Sequence, residues 1–151
     1  MRHLKKILIV LAVAAGFIAC KSSDKKTTGP TLSQEERNKA IADTANFTSI
    51  QWLDSTFKDL GKIKEGQVIE VTFRFKNSGT RNLIFSNVSA SCGCTIPEKP
   101  ERPYAPGEEG VIKAKFDSGG KPHGPIRKEI YVMANSNPVS HTLTFGVEIT
   151  D

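Results

Sequence analysis

The chain is poor in the residues from which metal and redox centres are usually built. Its 151 residues include three cysteines, three histidines, two methionines, two tyrosines and one tryptophan. Three cysteines cannot form a four-thiolate zinc site or a framework of several disulfides. No phosphate-binding loop is present: Asp117-Ser118-Gly119-Gly120-Lys121-Pro122-His123-Gly124 lacks the preceding buried parallel strand and the Gly-Lys-Ser/Thr ending. No carboxylate pair stands out beyond Glu108-Glu109, which sit in a turn. The longest uncharged apolar run, Ile7 to Ala19, falls well short of the ~20 residues that carry a helix across a bilayer.

That run has another use. Arg2, Lys5 and Lys6 precede it, and a basic start with a short apolar core is the pattern of an export signal. It ends Phe17-Ile18-Ala19-Cys20, which resembles the lipobox of bacterial lipoproteins, although Phe17 stands where a lipobox usually carries leucine. The resemblance implies that Cys20 is acylated and becomes the mature N-terminus, with the lipid bilayer as a partner. Each buried acyl CH₂ would contribute ~0.8 kcal/mol to that anchor. Removing residues 1–19 takes three basic residues with it, so the net charge falls from +5 to +2. The basic balance therefore gives no argument for a nucleic-acid partner. Lys21 follows Cys20 where an aspartate would suggest inner-membrane retention in some bacteria. The expected address is the periplasmic face of the outer membrane.

Three segments are expected: a signal peptide over 1–19, a lipidated tether and spacer over 20–46, and a domain over 47–151. Residues 21–30 are polar and close on Gly29-Pro30, as in a flexible tether. Ser33 followed by Glu36 fits a capping box, so a short helix is expected over about 34–43. Its apolar content is little more than Leu32, Ala40 and Ile41, which predicts a frayed spacer.

From Phe47 onward the pattern has period two. Ile69, Val71, Phe73 and Phe75 share one face of a strand. Asn77, Ser78 and Gly79 then supply hairpin-turn chemistry before a second strand over about Leu83 to Val88. Pro106-Gly107 occupies the centre of a type II turn and launches a strand with Ile112, Ala114 and Phe116 in phase. Ile126, Ile130 and Val132 mark another strand, and Leu143, Phe145, Val147 and Ile149 the last. Two more are expected around Phe47–Trp52 and Phe57–Ile63, with Trp52 and Phe57 inward. About seven short strands without a helix among them predict an all-β fold, an immunoglobulin-like antiparallel β-sandwich. Lys99 to Tyr104 reads as a proline-rich connector.

The segments "FRFKNSGTRNLIFSNVSASCGCT", "YAPGEEGVIKAKFDS" and "GPIRKEIYVMANS" together resemble a family of exported bacterial proteins catalogued as a domain of unknown function, number fifteen seventy-three. That family is common in Bacteroidetes lipoproteins. Ser91-Cys92-Gly93-Cys94-Thr95 and Pro106-Gly107-Glu108 are the most specific parts of the match, which covers about residues 47–150. The resemblance implies an immunoglobulin-like sandwich, often on a lipoprotein, and implies no activity.

Cys92 and Cys94 form the chain's candidate chemical site. In an extended strand, Cα atoms two residues apart are ~6.6–6.8 Å from each other, whereas disulfides prefer ~5.5–6 Å. The backbone must bend for the pair to close, and Gly93 is expected to permit that bend. Four readings stand open. Export favours a local disulfide that fixes the turn. A pair cycling between dithiol and disulfide is the second, because so small a loop gains little stability from the bond. The third is a copper or zinc site, which needs a ligand such as His123, His141 or Met133 beside the cysteines. The fourth is a Cys–His nucleophile, which lacks an orienting acid.

The expected function is that of a membrane-anchored, non-catalytic binding or structural module of the cell envelope, needing no cofactor and meeting an envelope protein or glycan. A periplasmic thiol-redox or copper-handling role using Cys92 and Cys94 is the alternative. The loops over 89–107 and 117–126 are the expected interaction sites. Phe145→Asp tests the strand pattern: an unpaired charge in the core should cost several kcal/mol and prevent cooperative folding. A soluble Phe145→Asp variant with a cooperative melt would contradict the assignment.

Overall fold

The computed structural model describes residues 30–151 of the protein. The expected signal peptide, Cys20 and the tether over 21–29 lie outside the described residues. Two four-stranded sheets pack face to face. One has the order β1 (Ile50–Trp52), β3 (Val68–Asn77), β6 (Glu109–Asp117), β5 (Thr95–Glu98). The other has the order β2 (Phe57–Lys64), β8 (Ser140–Thr150), β7 (Gly124–Ala134), β4 (Phe85–Ala90). Every pairing is antiparallel except β2 with β8.

The period-two residues do what their pattern predicts. Val71 and Phe73 of β3 lie opposite Ala114 and Ile112 of β6 within their sheet, with Phe75 opposite Gly110 and Phe116 opposite Ile69. Across the sandwich lie Ile130, Val132, Leu143, Phe145, Val147 and Ile149, and all of these side chains are buried. Phe116 and Phe145 meet edge to face from opposite sheets, centroids 5.6 Å apart. At the turn before β6, Gly107 takes φ +80° and the Glu108 N–H donates to the Ala105 carbonyl over 3.0 Å, as a type II turn requires.

Three expectations about the strands change. The segment after Asn77 is not a hairpin turn, because β3 and β4 belong to different sheets. Asn77 is fully buried and replaces ladder bonds at this crossing: its Nδ2 donates to the Arg81 and Tyr104 carbonyls, while its Oδ1 accepts from the Thr48 hydroxyl and the Gly79 N–H. Phe57 is not inward but 43% exposed. It opens an edge strand on its outer side, lies against Gly146 and takes the Arg127 guanidinium over its ring at 5.1 Å. The eighth strand, β5, falls just after the Cys-Gly-Cys turn, with Pro97 inside it. A proline is tolerated there because β5 is a sheet edge.

The expected spacer helix forms as α1 (Gln34–Ala42), with the Ser33–Glu36 capping box in place. It does not fray away from the domain. Arg37 is 1% exposed and docks it. Its Nε donates to the Leu32 carbonyl, Nη1 to the Phe85 and Pro100 carbonyls, and Nη2 to the carbonyl and carboxylate of Glu101. All five guanidinium donors are used, which is how a buried charge is tolerated. Leu32 N–H also donates to the Glu101 carbonyl.

At the α1 end, Phe75 meets Phe85 and Tyr104 edge to face, centroids 4.9 Å away in each case. Gly110 sits beneath this cluster: a Cβ there would lie 2.4 Å from Tyr104 Cε1 and 2.6 Å from Phe75 Cζ. Gly110→Ala should therefore lower the urea midpoint at unchanged m-value, by an amount corresponding to about 1–3 kcal/mol of overpacking. A midpoint equal to that of the native chain would show that the cluster can yield.

Candidate functional site

The Cys-Gly-Cys segment is where the chain leaves one sheet for the other. β4 ends with Ser91 N–H donating to the Glu129 carbonyl of β7, and β5 begins with the Cys94 carbonyl accepting from Asp117 N–H of β6. Between them Thr95 N–H returns to the Cys92 carbonyl over 3.2 Å, closing a tight turn. Within it Cys92 and Cys94 are joined by a disulfide, their Cα atoms 5.3 Å apart. Gly93 does not have the expected role. It is not among the glycines with positive φ, and a Cβ on it would meet nothing within 4 Å. The bend does not require glycine; the missing side chain leaves the space above the disulfide open.

That space is a cleft of about 380 Å³ lined by Val68, Gly93, Cys94, Ile96, Lys115 and Lys121, with Asp117 and Gly119 completing it. It joins the two loop regions expected to carry interactions. Ser118, fully buried, places the second of them: its hydroxyl lies 2.9 Å from the carbonyls of Lys64 and Gln67, and Lys121 N–H donates to the Ser118 carbonyl. Asp117 spends one carboxylate oxygen on Gly119 N–H. Val68 is 59% exposed and Ile96 67%, an apolar pair open to solvent beside Cys94. Among the described residues neither Lys115 nor Lys121 is in an ion pair, whereas Lys113 on the same strand holds Glu70 at 3.6 Å.

A larger groove of about 450 Å³ crosses the outer face of the other sheet over Gly146. Its cations are already engaged, Lys62 with Glu148 and Arg127 with the Phe57 ring, while Asp59 accepts from the Gly61 N–H. The disulfide cleft is the better candidate because its cations and apolar side chains lack partners.

His123, the proposed third metal ligand, is not brought to the cysteines. Its Nε2 lies 3.0 Å from a Glu65 carboxylate oxygen and its Nδ1 3.0 Å from one of Asp151. Met133 lies in β7, away from the Cys92–Cys94 turn, and is partly exposed. Among the described residues no three His, Cys, Asp or Glu side chains converge as metal ligands. The set Cys92, Cys94 and His123 is thus not assembled as a metal site.

His141 stands at the sandwich rim with a serine that sequence spacing did not single out. The Trp52 indole N–H donates to His141 Nδ1 over 3.4 Å. The ring proton then sits on Nε2 and is donated to Ser136 Oγ at 2.9 Å, whose own proton goes to the Pro138 carbonyl at 2.8 Å. Proton flow in this chain runs toward the serine, opposite to what a general base needs, and Ser136 is fully buried. The trio holds the β7–β8 turn.

A family model described as "Protein of unknown function (DUF1573)" matches residues 50–149. No curated protein matches the chain in sequence. Among solved structures the chain is similar to a protein of unknown function from Porphyromonas gingivalis W83, at 15% identity and a TM-score of 0.58, over 70% of this chain and 48% of that one. It is similar to the secreted serine protease VesC from Vibrio cholerae at 10% identity and a TM-score of 0.53, over 76% of this chain and 25% of that one. A PapD-like domain of human CEP192 matches at 12% identity and a TM-score of 0.51, over 70% of this chain and 87% of that one. The chain thus spans about half the length of the first structure and a quarter of the second. These likenesses are of fold, an immunoglobulin-like sandwich.

Burial lowers the pKa of His141 below the usual histidine value, outweighing the opposite pull of the Pro138 carbonyl. The unfolded chain then binds a proton that the folded one resists. Stability from this group is complete above about pH 6.5 and is lost as pH falls below it. In a His123→Gln background, where His141 is the one histidine after Cys20, the urea midpoint should drop from pH 7.5 to pH 5.5. His141→Gln should remove most of that drop. A midpoint independent of pH would contradict the buried neutral ring.

Proposed function

The chain belongs to the DUF1573 family, and on that premise we propose that it is a lipid-anchored, non-catalytic binding module of the bacterial cell envelope whose partner is an envelope protein. The reading is carried by one observation: the open cleft beside the disulfide, where exposed Val68 and Ile96 adjoin Lys115 and Lys121. Most apolar side chains of the domain's strands are inside; an apolar pair left outside next to unpaired cations is the composition of a surface that a partner covers. The lining includes no aromatic ring on which a sugar could stack, which favours a protein over a glycan.

The non-catalytic part is supported by what the titratable groups already do. His123 and His141 are each held between two partners. Asp54 is held by Arg74 and Lys58, and Glu108 by Arg102, which keep both carboxyls below the usual range. The anchor is supported by the basic start, the short apolar run and Cys20 at its end, and the expected address is the periplasmic face of the outer membrane. A thiol-redox role is the second reading, favoured by Cys94 lining the cleft.

Cys20→Ser should move the protein from the membrane fraction to the soluble fraction. A photo-crosslinking residue at position 96 should capture one discrete protein in cells, and Lys115→Glu with Lys121→Glu should abolish the adduct. Capture from position 131, on the other sheet, with none from position 96 would overturn the assignment of the cleft.

A further inference from the structure

The cleft carries a chemical feature that a passive docking surface does not need. Thr95 is 3% exposed, and among the described residues the hydrogen-bond partner of its hydroxyl is Cys92 Sγ, 3.6 Å away. A disulfide sulfur is a weak acceptor, so this buried hydroxyl is poorly served while the bond is closed. A thiolate at Cys92 would take the same hydrogen as a charge-assisted bond. The surroundings therefore favour the reduced form over the oxidised one at this sulfur. Cross-linking residues two apart also restrains the unfolded chain far less than a long loop would, so little stability is lost on opening.

The two sulfurs are not equivalent. Cys94, partly buried against the core, also lines the cleft, and Gly93 beside it carries no side chain. Cys92 has the hydroxyl that stabilises a leaving thiolate. Lys115 and Lys121 stand in the same cleft without ion-pair partners among the described residues; they outnumber its one carboxylate, Asp117, and attract an anionic nucleophile.

We infer that the Cys92–Cys94 disulfide is a thiol–disulfide exchange site for a cysteine flanked by carboxylates on a partner protein, with Cys94 attacked and Cys92 leaving. The incoming thiolate bonds to Cys94 Sγ while the Cys94–Cys92 bond breaks, and Cys92 departs as a thiolate held by Thr95. A second thiolate of the partner then attacks the partner sulfur of the mixed disulfide and releases Cys94. Two partner thiols become one disulfide, two electrons pass to the pair, and the two thiol protons are released or taken up by Cys92 and Cys94. Exchange with a disulfide substrate runs the same steps backward. The inference rests on the cleft being the partner surface, and it replaces the non-catalytic part of that reading.

Glutathione is the smallest probe of this class, a cysteine between two carboxylates; cysteamine is its cationic counterpart. The full-length folded chain in detergent is treated with each thiol, quenched with N-ethylmaleimide and mapped by tandem mass spectrometry. Glutathione should be found on Cys94 and maleimide on Cys92, and glutathione should react about tenfold faster per thiolate than cysteamine. Lys115→Gln with Lys121→Gln should erase that preference. Thr95→Val should lower the equilibrium constant for reduction by about tenfold, and Thr95→Ser should restore it. Reduction only after unfolding in urea, glutathione on Cys92, or a Thr95→Val variant as reducible as the native chain would each overturn the inference. If exchange fails while the adduct from position 96 persists, the binding-module reading stands and the exchange site falls.

Discussion

The sandwich depends on the edge-to-face cluster around Phe75. This one ring touches Trp52, Phe85 and Tyr104, and so ties β1, β4 and the 99–108 loop to β3. Such aromatic pairs add ~0.5–1.5 kcal/mol each beyond the area they bury. The cluster also dictates its surroundings. Gly110 must lack a side chain so that Phe75 and Tyr104 can lie over β6. Arg102 stacks on the outer face of Tyr104, 4.3 Å from the ring, and is held by Glu108. Trp52, placed by Phe75, in turn donates the hydrogen bond that sets the His141 tautomer.

Where the chain passes between sheets, burial alone cannot hold it, because the ladder stops and backbone groups lose their partners. Three of the crossings are held in different ways. Asn77 serves four groups around the 78–84 crossing, and Asn135 serves the same segment from the other side, accepting from Ile84 N–H and donating to the Asn82 carbonyl. Ser118 fastens the crossing after β6 to the β2–β3 turn. The crossing from β4 to β5 uses a covalent bond instead. The disulfide is therefore both a structural corner and the floor of the cleft.

The alternation along β3, β6, β7 and β8 was readable because one face of each strand is fully buried, and a one-residue slip would turn every side chain outward. Phe57 lies on an edge strand whose register shifts between Asp59 and Lys62, so it stands outside although Ile63 beyond the shift is buried, and periodicity could not place it. β5 was hidden by its brevity and by Pro97, which argues against a strand everywhere except at an edge. α1 docks through one buried arginine rather than an apolar stripe, and nothing in the spacing of Leu32, Ala40 and Ile41 signals that. The motif Cys92-Gly93-Cys94 drew attention from sequence alone. Its working environment did not, since Thr95 lies inside, Lys115 faces out across the register from Ile96, and Lys121 arrives by way of Ser118.

The edge beside that motif limits how a partner can bind. With Cys94 accepting from Asp117 N–H and Thr95 opposite Phe116, the backbone groups of residues 94, 96 and 98 point toward β6, while those of 95 and 97 point outward. The Thr95 N–H is already given to the Cys92 carbonyl, and Pro97 has no N–H to give. The outer edge of β5 therefore offers no free donor within the strand, and an added strand could not form a regular ladder along it. A partner bound at this end would have to be read by the side-chain face, where Ile96, Val68 and the two lysines surround Cys94. One short sequence, Cys-Gly-Cys-Thr-Ile-Pro, thus closes the edge and opens the cleft, which leaves side chains rather than backbone groups as the accessible chemistry at this end of the sandwich.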